Sequence, residues 1–571
     1  MTFTYSVNPA DWLGIAPQVV LVGMALIVML VDLVLPHAGE RSKHTGPANF
    51  TILPIVSFVG VIGAIAAVIY LLLNGPLNAH QRVFNDMVGT DAGTLYAYLV
   101  VLGAVGLGIL LSPAYLKRLN LVHQGEYYAL MMFAATGMML MAAATSFLIV
   151  FLGIEMLSLA LYILCAYVAR RKASQESGMK YFLLSSFASA FLLYGIALTY
   201  AATGSTSFAT AATFVNKVDH SPTLLLVAMG LLAVGFAFKV SAIPFQSWTP
   251  DVYQGAPAPV TAFMSVGTKV GALLAFVRVF SFVLGHVQGD WMPVIWAIAV
   301  LTIVGGNVMA LVQSNLKRLL AYSSIAHGGY LLIGVVVGGS LGASAILFYL
   351  FCYLFLNLGA FGVVSVLERL DNSGTDASDL RGLWYRRPVI AGLLAFFLLS
   401  LAGFPPMAGF ASKYYMFYAA LAGGHPELLI IGVLASVLGI YYYLRFTATM
   451  FMVQPEIGPA LPPVPATPAP VPAAPRRTPV RVGAASATRA TGGLSTGGAA
   501  TAVAARPTSG RLTQAPVSDT LNEPVEEQQG RELAWMTWLG LGIAALGTLV
   551  MGIILPFWLP NLQQAAQTLL K

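Results

Sequence analysis

Apolar runs of eighteen or more residues recur along almost the whole chain, and no other feature limits its fold so strongly. Runs of that length read as membrane spans. Lipid offers the backbone no water, so each span must close its own hydrogen bonds as a helix or join a closed barrel. Barrel strands alternate apolar and polar residues over about ten positions. These runs are longer and continuous, so the expected class is an all-α polytopic membrane protein. Composition agrees: 58% of residues are hydrophobic and 9% charged, against about 25% charged in a soluble domain. The spacing predicts about fourteen transmembrane helices, at 14–36, 50–73, 94–112, 127–144, 147–168, 177–201, 223–246, 259–284, 291–312, 319–338, 341–367, 388–420, 426–450 and 534–558. The 388–420 run contains Pro405 and Pro406, and the 223–246 run ends in Lys239-Val-Ser-Ala-Ile-Pro244-Phe. Both are expected to be proline-broken helices.

The net charge of +7 is not a nucleic-acid footprint, because the basic residues collect in alternate short loops. Those loops carry Arg41 and Lys43, Lys117 and Arg118, Arg170-Arg171-Lys172, Lys317 and Arg318, and Arg381 with Arg386-Arg387. The positive-inside rule places them in the cytoplasm and both termini on the outer side. Met1–Gly14 has no basic start and carries Asp11, which argues against a cleaved signal peptide. Cys165 and Cys352 lie far apart in apolar runs and propose no metal, iron–sulfur or disulfide framework. Gly103-Ala-Val-Gly106-Leu-Gly108 falls inside a span, where small residues serve close helix packing and not nucleotide binding. Residues 455–531 are rich in Pro, Ala, Gly, Ser and Thr. They cannot bury a core and are expected to be a disordered cytoplasmic loop, a tolerated insertion before the last span.

The chemistry lies in the few ionisable residues within the spans: Glu155, Lys180, Lys239, Lys269, His327 and Lys413, with Asp32 and Arg278 nearer helix ends. Each costs about 2.5–3.5 kcal/mol to insert at mid-membrane and is a functional candidate for that reason. Ser158 and Tyr162 follow Glu155 at i+3 and i+7, a polar stripe expected to face the bundle. Lys239 and Lys413 each accompany a proline break, where freed backbone groups line wet cavities. Two such breaks suggest two related halves. Lys269 lies mid-span, and His327 sits in Ser323-Ser-Ile-Ala-His327-Gly-Gly-Tyr330; an imidazole passes protons through either nitrogen. Lys180 is only a few residues inside its helix, where a lysine also snorkels. The pattern points to proton translocation. Lifting one charge against about 150 mV costs roughly 3.5 kcal/mol. Bringing a lysine from its reference value of about 10.4 to neutrality costs about 4–5 kcal/mol, a comparable sum.

At these motifs the chain resembles the antiporter-like membrane subunits of respiratory complex I, and most the subunit N branch of bacterial NADH-quinone oxidoreductase. The matching stretches are Gly153-Ile-Glu155-Met-Leu-Ser-Leu-Ala-Leu-Tyr162, the run from Lys180 to Tyr194, Phe238-Lys239-Val-Ser-Ala-Ile-Pro244-Phe-Gln-Ser-Trp248-Thr-Pro-Asp251 through Pro257, and Phe404-Pro-Pro through Lys413. The resemblance implies two inverted five-helix repeats. It divides the chain into three N-terminal helices (1–112), a first repeat (113–284), a second repeat (285–453), the Pro/Ala-rich loop (454–532) and a C-terminal helix (533–571). It implies that Glu155 and Lys239 form the key pair, that Lys180, Lys269 and His327 continue a proton relay, and that Lys413 lies at the outward exit. It implies no cofactor in this chain. NADH, FMN, iron–sulfur clusters and quinone are expected in partner subunits, both membrane and peripheral. A Mrp-type cation/proton antiporter subunit shares the Glu and Lys series and stays the alternative.

Overall fold

The computed structural model describes residues 9–35, 48–74, 82–119, 121, 124–218, 221–369, 373–452 and 531–570. Arg41 and Lys43, the first eight residues and loop positions 454–530 lie outside the described residues. After a short helix at Pro9–Gly14 come three long ones: α1 (Ala16–Val34), α2 (Ala48–Asn74) and α3 (Ala92–Arg118). Then follow α4 (Gly125–Ala143), α5 (Phe147–Cys165), α6 (Lys172–Thr203), the broken pair α7 (Thr223–Lys239) and α8 (Trp248–Gly255), and α9 (Ala258–Val277). The second series is α10 (Gln288–Leu311), α11 (Leu316–Val337), α12 (Gly339–Leu367), the broken pair α13 (Pro388–Ala402) and α14 (Ala408–Ala422), and α15 (Pro426–Met452). The last helix, α16 (Arg531–Leu569), begins just inside the segment expected to be loop. Among the described residues, 12 helices are long and apolar enough to cross a membrane, and α7 and α13 are shorter apolar helices. One two-stranded hairpin, Arg82–Val83 with Val88–Gly89, is the strand content described.

Both breaks fall where the prolines predict them. α7 stops at Lys239, five residues before Pro244, and α13 stops at Ala402, just before Pro405 and Pro406. Two other helices begin at a side chain that takes a free N–H group of the first turn. Asp91 caps α3 through the Thr94 N–H at 3.0 Å, and Asn315 caps α11 through the Arg318 N–H at 3.2 Å.

Burial separates the helices into an inner and an outer set. The apolar window of α9 is wholly buried, and α3, α11 and α12 are nearly so. A helix apolar all round and buried all round belongs at the centre of a bundle. α1, α2, α6, α10 and α15 instead expose large apolar side chains, such as Phe187 and Leu434, suited to lipid. The glycines of α3 serve packing as expected. Cβ atoms at positions 103 and 108 would press on Leu354 of α12 and Met131 of α4, and one at 106 would just touch Val61 of α2.

The ends of the helices sort the basic loops to one face. The Arg118 guanidinium donates to the Val366 carbonyl at 2.9 Å, and Arg171 and Lys317 both reach Glu368, at 2.6 and 3.4 Å. Loops that the charge pattern assigned to one side therefore meet in space. At the other ends Arg278 pairs with Asp91, and Thr568 of α16 bonds the same carboxylate at 3.3 Å.

Candidate functional site

Four of the six relay candidates are buried in the inner helices. Lys239, Lys269, His327 and Lys413 are between 1% and 7% exposed. Among the described residues, no carboxylate lies within 4 Å of any of the three lysine amines. Their partners are neutral. Lys239 Nζ donates to the Ser158 hydroxyl of α5 at 2.7 Å and to the Ser185 hydroxyl of α6 at 2.8 Å. Ser158 gives its own proton to the Ile154 carbonyl at 2.5 Å, which turns its lone pairs toward the amine. Lys269 donates to the Ser324 hydroxyl at 2.5 Å and to the Ser265 carbonyl at 3.2 Å. Lys413 donates to the Ala402 carbonyl at 3.0 Å. Pro406 has no N–H to offer that carbonyl four residues back, so the lysine takes a bond that the break left open.

Each amine also lies over an aromatic ring, close enough for cation–π attraction. Lys239 sits 5.8 Å from the Tyr181 centroid, Lys269 5.6 Å from Tyr353 and Lys413 5.5 Å from Tyr330. Rings and hydroxyls hold a cation less firmly than a carboxylate does. A lysine so held can give up its proton without breaking an ion pair.

α11 joins two of these lysines. Ser324, His327 and Tyr330 stand at i, i+3 and i+6, a stripe that winds about a third of a turn round that helix. Ser324 takes Lys269, and Tyr330 faces Lys413. His327 lies between, its Nδ1 2.7 Å from the Tyr349 hydroxyl and its ring 5.1 Å from the Tyr353 ring that Lys269 faces. The backbone just after Lys239 packs against α11 at Gly328, the neighbour of His327. A Cβ at Gly328 would stand 2.7 Å from the Val240 carbonyl and 3.7 Å from Lys269 Cε. The buried hydroxyls of Tyr162, Tyr181, Tyr253 and Tyr353 have no protein hydrogen-bond partner among the described residues.

Two candidates are placed differently from the sequence expectation. Lys180 is not in the buried set; its side chain is 41% exposed and bonds Asp251 and Glu176, each at 2.7 Å. It lies two turns inside α6, near enough to the end for its amine to reach Glu176 one turn back and Asp251 of α8. Asp251, on α8, also takes Arg318 at 2.8 Å. Partial burial pushes the Asp251 carboxyl up, but the bonds from Lys180 and Arg318 outweigh this and hold it below the usual carboxylate range. Glu155 is half-buried, since Leu152 and Leu159 beside it on α5 are exposed. The polar stripe is thus split: Ser158 faces the bundle and Glu155 stands at its border. Glu155 makes no direct ion pair with Lys239, and Ser158, one turn on, is the nearer partner.

One charged group escaped the sequence reading. Glu368, at the end of α12, is fully buried with Lys317, and it takes Arg171 at 2.6 Å and the Tyr115 hydroxyl at 3.1 Å. Lys317 also donates to the Ala256 carbonyl at 2.8 Å. Local sequence places all three charges at loop edges; no pattern within any of the three segments pairs them.

A family described as "NADH:quinone oxidoreductase/Mrp antiporter, TM" matches residues 144–439, which take in both broken helices and the buried lysines. NADH-quinone oxidoreductase subunit N of Trichlorobacter lovleyi is 42% identical over 438 residues, 76% of this chain and 87% of that one. The chain belongs to the subunit N family of NADH-quinone oxidoreductase. Another member, from Chloroflexus aggregans, is 41% identical over 79% of this chain and 90% of its own. A chain of respiratory complex I from Thermus thermophilus with bound aureothin superposes with a TM-score of 0.63 at 32% identity, covering 78% of this chain and 92% of that one. A chain of the Mrp complex from Dietzia sp. superposes at 0.71 over 98% of this chain and 97% of its own, but at 17% identity it shares the fold alone. Family membership thus decides between the two readings that the Glu and Lys series left open.

Proposed function

We propose that this chain is the proton-translocating subunit N of a membrane-bound NADH-quinone oxidoreductase. The observation that carries this reading is the α11 stripe, Ser324–His327–Tyr330, which spans from the Lys269 amine to the ring over Lys413. Protons pass along Lys239, Lys269, His327 and Lys413, with Lys413 at the outward exit. The transfer between Lys239 and Lys269 is assigned to the aromatic-lined interval between them, where the Tyr181 ring faces the first amine and the Tyr353 ring the second. Glu155 acts as modulator through the field at Lys239, with Ser158 between them. Lys180 anchors α8 through Asp251 and contributes to the relay by its charge rather than by contact.

Electrons move from NADH to quinone in partner subunits that hold the FMN and iron–sulfur groups, and this chain contributes proton movement. Its place is the bacterial inner membrane, with basic loops inside and both termini outside. The complex should co-purify with NADH dehydrogenase activity, which a free-standing antiporter would not. Lys239→Ala tests the relay in inverted membrane vesicles. NADH-driven acidification is expected to fall below about a tenth of wild type, as for loss of a proton-transfer group, while the subunits still co-purify. Wild-type acidification with intact assembly would end the reading.

A further inference from the structure

Lys239 sits at the end of α7, where the backbone leaves the helix, so something must fix where its amine points. Trp248, the first residue of α8, is fully buried against this end. Its indole N–H donates to the Phe238 carbonyl at 3.2 Å, a second bond to an oxygen that also takes the Ser241 N–H. The indole stacks on Tyr181 with centroids 4.8 Å apart and planes 15° apart, and on Phe238 at 5.4 Å and 25°. Those two rings are the ones the Lys239 amine faces, at 5.8 and 5.9 Å. The next residue ties the break again: the Thr249 hydroxyl donates to Ser241 at 2.8 Å. One turn further, Asp251 fastens α8 to Lys180 of α6 and Arg318 of α11.

We infer that Trp248 is the positioning residue for Lys239: its N–H and its stacked face hold the amine between Ser158 and Ser185. This rests on Lys239 being the central carrier. The indole touches no proton on the path. It fixes the Phe238 carbonyl on one side of the lysine and the Tyr181 ring on the other, so α8 sets where the amine can reach.

The test is Trp248→Phe in the intact complex, which keeps a stacking ring and removes the N–H. The groups facing the amine are Ser158 with Glu155 a turn away on α5, Tyr181 and Ser185 on α6, and Phe238 on α7; none is altered. NADH-driven pumping at neutral pH is expected to fall about threefold to tenfold, the worth of one hydrogen bond. The pH profile of pumping is expected to shift by about one unit. Wild-type pumping with an unshifted profile overturns the inference, and so does reduced pumping with an unshifted profile, which is a packing defect. If Trp248→Phe lowers the yield of intact complex, Trp248→Tyr is read by the same profile, and an unshifted one overturns the inference. Lys239→Ala measured alongside separates the two claims. If it pumps normally the relay itself fails; if it is dead while Trp248→Phe is normal, only the positioning role fails.

Discussion

Three lysines that lie in the apolar interior are held by hydroxyls, two backbone carbonyls and aromatic faces, and this choice of partner is what suits them to exchange protons. A carboxylate would stabilise the charged form and hold the proton; a purely apolar pocket would expel the charge altogether. Lys239, with two serine acceptors and a ring, stands between those extremes. The serines should therefore matter as individuals. A hydrogen bond to a charged group is worth about 1.5–3 kcal/mol. Ser185→Ala removes the α6 acceptor, and Ser158→Ala the α5 acceptor. Each is expected to slow NADH-driven pumping by about tenfold, and the double substitution to approach the Lys239→Ala level. Stopped-flow acidification in vesicles measures all three, and a neutral double variant would sink the account. The serines were partly legible. Ser158 lies in the Glu155 stripe, and Ser324 and Tyr330 flank His327 at helical spacing. Ser185 was visible only within the Lys180–Tyr194 run, with nothing to mark it apart from its serine neighbours.

At the scale of elements, the two broken helices do the same task in different ways. In the first, the lysine precedes the break and a tryptophan beyond it ties the ends. In the second, the lysine follows the break and its own amine takes the open Ala402 carbonyl. The second arrangement needs α14 to begin hard against the end of α13. Gly409 allows that approach, since a Cβ there would stand 1.7 Å from the Ser400 carbonyl oxygen. Backbone cannot give way as a flexible side chain does. Gly409→Ala should push α14 off α13, separate Lys413 from Ala402 and cost about 1–3 kcal/mol in overpacking. Loss of pumping with retained co-purification is the expected result; full pumping would show that α14 has room to move. The prolines made both breaks readable from the chain, because a missing N–H is a covalent fact. Which group then bonds the backbone beside each break was not readable, because it comes from across the break.

For the whole molecule, the buried Glu368 group joins the helices of both series. Arg171 enters from the start of α6, Lys317 from α11, Tyr115 from α3, and Glu368 from α12. Removing one partner of a buried pair strands the other charges and costs about 3–5 kcal/mol. Glu368→Gln should accordingly lower the thermal unfolding midpoint of the detergent-purified complex by several degrees and reduce the yield of assembled subunit, more than Lys180→Gln at its half-exposed pair. Equal midpoints for the two variants would show that the Glu368 group is not a tie between the series.

What the sequence alone determined follows from energies that each segment carries by itself. Long apolar runs must become helices in lipid, prolines must interrupt them, and an ionisable residue inside them must be there for use. Length, spacing and composition are enough for all three, and the quoted motifs were enough for the family. Tertiary structure decided direction. A helix repeat tells which residues share a face but not which neighbour that face meets. It took packing to turn the Ser324–His327–Tyr330 face toward Lys269 and Lys413, to leave Glu155 at a border, and to send Lys180 outward to Asp251. It also took packing to bring Arg171 to Glu368 across 197 residues of chain. Those contacts exist only because separate helices meet, and their energies appear only after the apolar faces have been buried against one another.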